Sequence, residues 1–312
     1  MKNIAVLSVL VIILNVHSYA QENENNYCFS FGPQFGFAYG QAKEYVYPAP
    51  GETGNELLSE LLWDMKPVFF YGLQAEFGRI DLNKAPGGFS SISFKAGIPA
   101  DSGNMEDRDW FYPSNNEVTR YSCHTNKTAV FIQLDAAAGV SIPVNSFLYL
   151  KIFLGGSWMR FSFTGRDGYG IYNDVDPKEQ NFTGKKAISY SQDWLIPMLG
   201  LSAGTNILYP FSFEILFKAS PYSYCSATDN HYLRRTVFRD FTEWGGFFEP
   251  SLKASYSAKM IDFSFELSYR YIGKTEGRSY YNENNTGFHL DTSKAGAGLS
   301  LFELRFFACF KL

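Results

Sequence analysis

The chain has 312 residues and a formal net charge of −4 at pH 7, which disfavours nucleic acid as a partner. Apolar residues make up 46% of the chain, yet its mean hydropathy is only −0.17, so apolar and polar residues are interleaved. Beyond residue 20, no stretch approaches the roughly 18 consecutive apolar residues of a membrane helix, which excludes a helical membrane protein.

Residues 1–20 have the pattern of a secretory signal. One early lysine precedes an apolar stretch, and the segment closes on the small-residue sequence Ser18-Tyr19-Ala20. We expect cleavage before Gln21 and export of residues 21–312 as a single domain.

Ten segments after the signal have the alternating pattern of β-strands. They lie near residues 27–40, 56–80, 88–101, 128–143, 147–166, 186–208, 211–226, 236–258, 260–275 and 294–312. Short links between them predict periplasmic turns, and long polar links predict external loops. The predicted external loops are near 41–55, 102–127, 167–185, 227–235 and 276–293. Several predicted strands exceed the roughly 9 to 11 residues that cross a bilayer, so they should continue beyond the membrane.

The two faces of these strands predict their surroundings. In residues 261–271 the odd positions are apolar or aromatic, whereas the even positions include Asp262, Glu266 and Arg270. A soluble domain would bury the apolar face, but a membrane β-barrel turns it toward lipid and keeps the charged face in its lumen. The aromatic content of 18% suits girdles at two membrane surfaces. We predict an all-β, ten-stranded antiparallel transmembrane β-barrel with long external loops; one large soluble all-β domain is the alternative.

Two acidic clusters lie in predicted external loops or at the strand ends that feed them. Residues i and i+2 of an extended segment point the same way, so Asp107 shares a face with Asp109, and Asp229 shares one with His231. If the barrel brings the two clusters together, they face each other across a cleft. A solvated loop or a cation site is the alternative for such a pair.

The segments around these clusters resemble the omptins, which are outer-membrane proteases of Gram-negative bacteria. Residues 103–110 are similar to the family's second-loop signature, and Asp229-Asn230-His231-Tyr232 matches its Asp-x-His-Tyr element. Residues 160–166, 187–192 and 296–298 resemble further strand segments of the family. The similarity runs from about Gly40 to the C-terminus, with the motifs in the family's order.

The resemblance implies an endopeptidase in the bacterial outer membrane, with its active site facing outside. Asp107, Asp109, Asp229 and His231 match the family's catalytic residues. His231, held by Asp229, would take a proton from water as general base. Asp107 and Asp109 would lie on the other side of that water, and one of them would carry a proton. We expect peptide or protein substrates, contact with outer-membrane lipid, a monomer, and no cofactor or metal.

Substrate choice is where the sequence departs from the family. Omptins typically cut between two basic residues, and Glu44 aligns with one acid of the pocket that attracts the basic side chain. The second acid of that pocket is replaced by Ala227. Because a carboxylate is lost, we expect cleavage near basic residues with a relaxed preference.

Lipid activation is the second departure. The family binds the phosphates of lipopolysaccharide through basic residues on its outer wall, and Arg160 matches one of them. Asp193 stands where the next strand should carry a base. Since a carboxylate repels phosphate, we expect activation by lipopolysaccharide to be weak or absent.

The four cysteines suggest two disulfides in an oxidising compartment. Cys28 opens the first strand and Cys309 nearly closes the last, and these strands are neighbours in a closed barrel. Cys123 and Cys225 lie in or beside two external loops. We predict the pairs Cys28 with Cys309 and Cys123 with Cys225, with four free thiols as the alternative.

Other functions have weaker support. Residues 200–204 fit a serine-hydrolase elbow but lie inside an alternating strand, where the required turn into a helix is missing. No His-Glu-x-x-His is present, which disfavours a zinc peptidase, and His124 is interpreted as structural. A non-enzymatic barrel acting as adhesin, receptor or narrow pore is the competing function. As a pore it would be obstructed, because lumen charges such as Arg270 and Glu303 should pair across it.

Overall fold

A computed structural model describes residues 27–49, 56–79, 86–112 and 117–311. The predicted signal, residues 1–20, lies outside the described residues. Among those described, no helix is long and apolar enough to cross a membrane.

The described residues form fifteen strands in one sheet. The strands are β1 (Tyr27–Tyr47), β2 (Ser59–Arg79), β3 (Gly87–Gly97), β4 (Ala100–Asp109), β5 (Arg120–Pro143), β6 (Leu148–Tyr172), β7 (Glu179–Asn181), β8 (Lys186–Thr205), β9 (Phe211–Ser220), β10 (Tyr224–His231), β11 (Thr236–Glu243), β12 (Phe247–Ser257), β13 (Ile261–Ile272), β14 (Glu276–Glu283) and β15 (His289–Lys311).

Where two short strands follow one another in the chain, they occupy one strand position in the barrel wall. The fifteen strands therefore form a ring of ten strand positions. The shared positions are β3 with β4, β7 with β8, β9 with β10, β11 with β12, and β13 with β14. Both β13 and β14 pair with β15, and β15 pairs antiparallel with β1, which closes the barrel. Closure leaves no unpaired edge in the ring. The predicted ten-stranded antiparallel barrel is confirmed.

Two of the loops predicted to be external are shorter in the structure than the sequence predicts. The predicted loop 102–127 is mostly strand, because β4 continues to Asp109 and β5 begins at Arg120. The same holds at 227–235, where β10 runs to His231. Backbone pairing continues beyond the apolar belt, where the outer face also carries polar residues and the apolar alternation is lost. Both acidic clusters therefore lie on strands rather than in loops.

Burial confirms the prediction that the apolar face of the strands points outward and the charged face points into the lumen. Apolar side chains on the outer wall are exposed, with Leu73 at 63% and Ile215 at 64%, as expected for a surface that faces lipid. Along β13 the even residues point inward and the odd ones outward. A soluble sandwich would have the reverse pattern.

Paired charges fill the middle of the lumen. Arg270 forms an ion pair with Glu249 and lies 3.6 Å from Asp135. Lys95 Nζ is 2.6 Å from Glu303, and Lys218 Nζ is 2.7 Å from Glu249. The predicted pairing of lumen charges is thus confirmed, including the pair between Arg305 and Glu266. Toward the strand ends that carry the acidic clusters, buried apolar residues including Trp63, Phe161, Phe163 and Trp194 obstruct the lumen further.

The predicted disulfides are corrected by the strand register. Cys123, Cys225 and Cys309 are free thiols. Between Cys123 on β5 and Cys225 on β10 lie β6 and β8, a separation of about 14 Å along the sheet. Ser30 is opposite Lys311, so Cys309 lies beside Gly32, four positions or about 13 Å along β1 from Cys28. Both separations exceed the reach of a disulfide, and the side chain of Cys28 lies outside the described residues.

Candidate active site

A β-bulge in β4 turns Asp107 and Asp109 toward the lumen. The register of β4 with β5 shifts between Asp101 and Asn104, and Gly103 has a φ of 96°, which favours glycine. The extra residue changes which positions face inward: Ser102 is buried before it, and the odd positions face inward after it. Without the bulge, the strand would present Glu106 and Arg108 to the lumen.

The two aspartates share a partly buried, hydrogen-bonded position. Ser59 on the neighbouring strand β2 donates a hydrogen bond from Oγ to Asp107 Oδ1 at 3.1 Å. Burial raises the pKa of Asp107 well above its usual range, and the negative charge of Asp109 raises it further. Burial also raises the pKa of Asp109. The pair is therefore suited to hold a proton that carboxylates in water would release.

Asp229 and His231 occupy the end of β10, between β8 and β11. Asp229 is almost fully buried, and its carboxylate contacts Nε2 of His231. Phe238 on β11 packs against the His231 ring in a T-shaped contact, with centroids 5.6 Å apart. The carboxylate and the phenyl ring together fix the orientation of the imidazole.

The barrel brings the two clusters together, as the cleft hypothesis requires. Asp107, Asp109, Asp229 and His231 all line one cavity of about 180 Å³. The cavity lies at the end of the barrel opposite the first residue of β1 and the last of β15.

Arg234 lies between the clusters and was not singled out by the sequence. It belongs to the short turn 232–235 that joins β10 to β11, in which Arg235 has a φ of 53°. The guanidinium donates a hydrogen bond to His231 Nδ1 at 2.9 Å. Because arginine only donates, Nδ1 accepts and the imidazole proton lies on Nε2, toward Asp229. The positive charge of Arg234 partly offsets the rise that burial causes in the pKa of Asp107 and Asp109.

Two further carboxyl groups line the same cavity. Glu44 on β1 and Asp240 on β11 are both buried, with relative exposures of 4% and 3%. Glu44 Oε2 and Asp240 Oδ1 have no hydrogen-bond partner among the described residues. Burial raises the pKa of Glu44 well above its usual range and that of Asp240 to about 7. Glu44 was predicted from the sequence, whereas Asp240 was not.

Comparison with known proteins identifies the family. The sequence matches the model of the Omptin family over residues 25–309, which is most of the chain. The chain belongs to the omptin family.

Named relatives are similar over most of their length. A plasminogen activator of Yersinia pestis is 25% identical over 317 residues, covering 96% of each chain. The outer membrane protease IcsP of Shigella flexneri is 28% identical, covering 79% of this chain and 78% of its own. The crystal structure of the outer membrane protease OmpT from Escherichia coli matches with a TM-score of 0.79 at 18% identity, covering 93% and 98%, which supports the omptin fold. Family membership supports a proteolytic function in the bacterial outer membrane.

Two other predicted residues of this omptin lie away from the cavity. His124 is buried in the wall, where Nδ1 is 2.6 Å from the Asp167 carbonyl oxygen and Nε2 is 3.2 Å from Ser122 Oγ. Arg160 lies on the outer wall, 3.6 Å from Asp193 on the adjacent strand. Asp193 thus neutralises the base that the family resemblance assigns to lipid phosphate.

The buried Asp240 should make the stability of this omptin depend on pH. Its folded pKa of about 7 exceeds the ordinary 3.8, so the folded state retains a proton that the unfolded state releases. The unfolding free energy should therefore fall as pH rises from about 4 to 7, by at most about 1.4 kcal/mol per pH unit from this group. Asp240→Asn should flatten that slope in guanidinium unfolding of the detergent-folded protein, whereas the exposed control Asp101→Asn should not. An unchanged slope in Asp240→Asn contradicts the assignment.

Proposed function

We propose that this omptin is an outer-membrane endopeptidase that cleaves peptides or proteins near basic residues, using a water activated by Asp229 and His231 and facing Asp107 and Asp109. The observation that carries the proposal is that these four side chains, from strands distant in sequence, line one cavity. In this cavity His231, held by Asp229, can act as a base, and the Asp107 and Asp109 pair is suited to hold a proton. Attack of water on a peptide bond needs one group to accept a proton and another to donate one.

In the proposed reaction, His231 Nδ1 takes a proton from water as the water oxygen attacks the peptide carbonyl carbon. Asp229 accepts the bond from Nε2 and stabilises the imidazolium that forms. The protonated carboxyl of the Asp107 and Asp109 pair gives its proton to the amide nitrogen as the C–N bond breaks, and the imidazolium proton then returns to the pair. For this step Arg234 must leave Nδ1, and its exposed position in a short turn allows the side chain to move.

We propose that the cavity faces the outside of the cell. Short links lie at the end of the barrel where β1 begins and β15 ends. They are residues 144–147, 206–210 and 258–260. The connections from β4 to β5 and from β6 to β8 are longer, and they join strands at the end that holds the cavity. Outer-membrane barrels combine short periplasmic turns with longer external loops, which supports this orientation.

Peptide cleavage tests the proposed function. The mature chain would be refolded in detergent, and hydrolysis of a fluorogenic peptide with two adjacent arginines would be followed with and without lipopolysaccharide. We expect cleavage beside an arginine, identified by mass spectrometry. If no peptide bond is cut under either condition, the competing non-enzymatic function as adhesin or receptor is favoured instead.

We propose that lipopolysaccharide activates this omptin only weakly, because Asp193 offsets the charge of Arg160. Asp193→Lys should create a basic pair on the outer wall and raise the ratio of activity with lipopolysaccharide to activity without it, since the added charge attracts lipid phosphate. The ratio is measured as kcat/KM on one peptide. Strong activation of the wild type, or an unchanged ratio in Asp193→Lys, contradicts the proposal. Glu179→Lys, which reverses the charge of an exposed acid on β7, is the matched control.

A further inference from the structure

We propose that Asp240 supplies the second carboxylate of the pocket that holds the substrate's basic side chain. It would do so in place of the acidic residue that is replaced here by Ala227. The inference rests on the proposed function, because it assigns a residue that decides which substrates the same site accepts. It also reverses the expectation of a relaxed preference: the pocket retains two carboxylates and should select arginine or lysine strongly.

The strand register places Asp240 beside the position of Ala227. In the pairing of β10 with β11, Asp240 lies directly opposite Ala227. Both side chains point into the lumen and are buried. Directly opposed residues have Cβ atoms about 5 Å apart, and alanine leaves the space beside it open. A carboxylate moved to the neighbouring strand therefore occupies nearly the same part of the cavity.

Unpartnered oxygens indicate that this part of the cavity receives a donor. Asp240 Oδ1 and Glu44 Oε2 are buried and accept no hydrogen bond among the described residues, although both line the cavity. Buried carboxylate oxygens without partners are costly, so such atoms usually meet a ligand or water. A guanidinium offers five N–H donors and an ammonium three, enough to reach both oxygens, and each carries a positive charge.

Charge around Asp240 is also unbalanced. Its neighbours across the packed strands are Asp229 on β10, Ser279 on β14, Asp291 on β15 and Glu44 on β1. Burial is the main cause of the raised pKa of Asp240, the carboxylates of Asp229 and Asp291 raise it further, and the Ser279 hydroxyl lowers it. Two cations also line the cavity, but Lys294 is paired with Glu276 and Arg234 is hydrogen-bonded to His231, and neither affects the pKa of Asp240. A basic side chain of the substrate would supply the missing positive charge.

The titration of Asp240 gives the selectivity a pH dependence. Below pH about 7 the empty pocket holds Asp240 largely neutral, and above it the carboxylate is charged. Preference for arginine over its neutral isostere citrulline should therefore increase from pH 6 to pH 8. Replacing Asp240 by asparagine should reduce the increase to the part that Glu44 contributes.

Paired peptides test the assignment. We would compare kcat/KM for peptides that differ only in arginine or citrulline at the cleaved position. In Asp240→Asn the arginine preference should fall about 10- to 100-fold, with the citrulline peptide little changed. The double variant Ala227→Asp with Asp240→Asn should restore the preference, and the exposed control Asp101→Asn should match the wild type. A fall in both peptides alike, or no rescue by Ala227→Asp, overturns the assignment.

Binding separates this inference from the proposed function. In the His231→Ala background, binding of the arginine and citrulline peptides is measured by calorimetry without any cleavage. We expect tighter binding of the arginine peptide, and loss of the difference when Asp240→Asn is added. If the wild type cleaves no peptide but this difference is present, only the proposed function fails. If both peptides bind alike, the inference fails whether or not the protein is a protease.

Discussion

His231→Ala should lower kcat/KM for a dibasic peptide about 10³-fold, because it removes the group that takes the proton from water. Asp229 is fixed against that imidazole, and Phe238 packs on its ring, so no other described nitrogen base is held in the same place. The loss should appear in kcat more than in KM, since the imidazole acts on the water rather than on the bound side chain.

A second histidine gives the matched control. His289 opens β15 at the same end of the barrel and is exposed. His289→Ala should leave kcat/KM within about twofold of the wild type, as expected for a surface substitution. Activity in His231→Ala that stays close to the wild type would rule out His231 as the general base.

Arg270→Met should destabilise the barrel by about 3 to 5 kcal/mol, because it breaks a buried ion pair. The guanidinium is buried against Glu249 and Asp135, and its loss leaves these carboxylates with less compensating positive charge. Lys218 would still pair with Glu249 at 2.7 Å, which moderates the cost. The measurement is guanidinium unfolding of the detergent-folded protein.

Arg160→Met is the control for that experiment. Arg160 is exposed on the outer wall, and its pair with Asp193 spans 3.6 Å. Exposed pairs contribute at most about 1 kcal/mol, so this variant should unfold near the wild-type midpoint. Equal losses in the two variants would contradict a special role for the lumen charges.

The architecture could be predicted from the sequence because the outer face of a membrane barrel is apolar and its inner face is polar. The alternation in β13 determines which residues face lipid, and the i, i+2 spacing determines that Asp107 and Asp109 share a face. Neither prediction required knowledge of which strands pair. Family resemblance added the expectation that the two clusters meet, and the ring of strands then brought them to one cavity.

Features that depend on register could not be predicted in this way. The apolar alternation is absent from the polar ends of β4 and β10, so their sequences predict loops where the structure has strands. The opposition of Ala227 and Asp240 follows from pairing between strands, which comparison at single positions misses. Arg234 depends on how a short turn folds back over His231, and the cysteine pairs failed because strand order and register separate them.

In the proposed reaction both clusters act on one water. A double-mutant cycle with His231→Ala and Asp109→Asn, measured as kcat/KM on a single dibasic peptide, shows whether they do. Residues that act as one unit give a double variant about as slow as the slower single variant, and we predict that result. Losses that multiply, so that two separate 10³-fold effects would combine to about 10⁶-fold, would contradict a shared reaction centre.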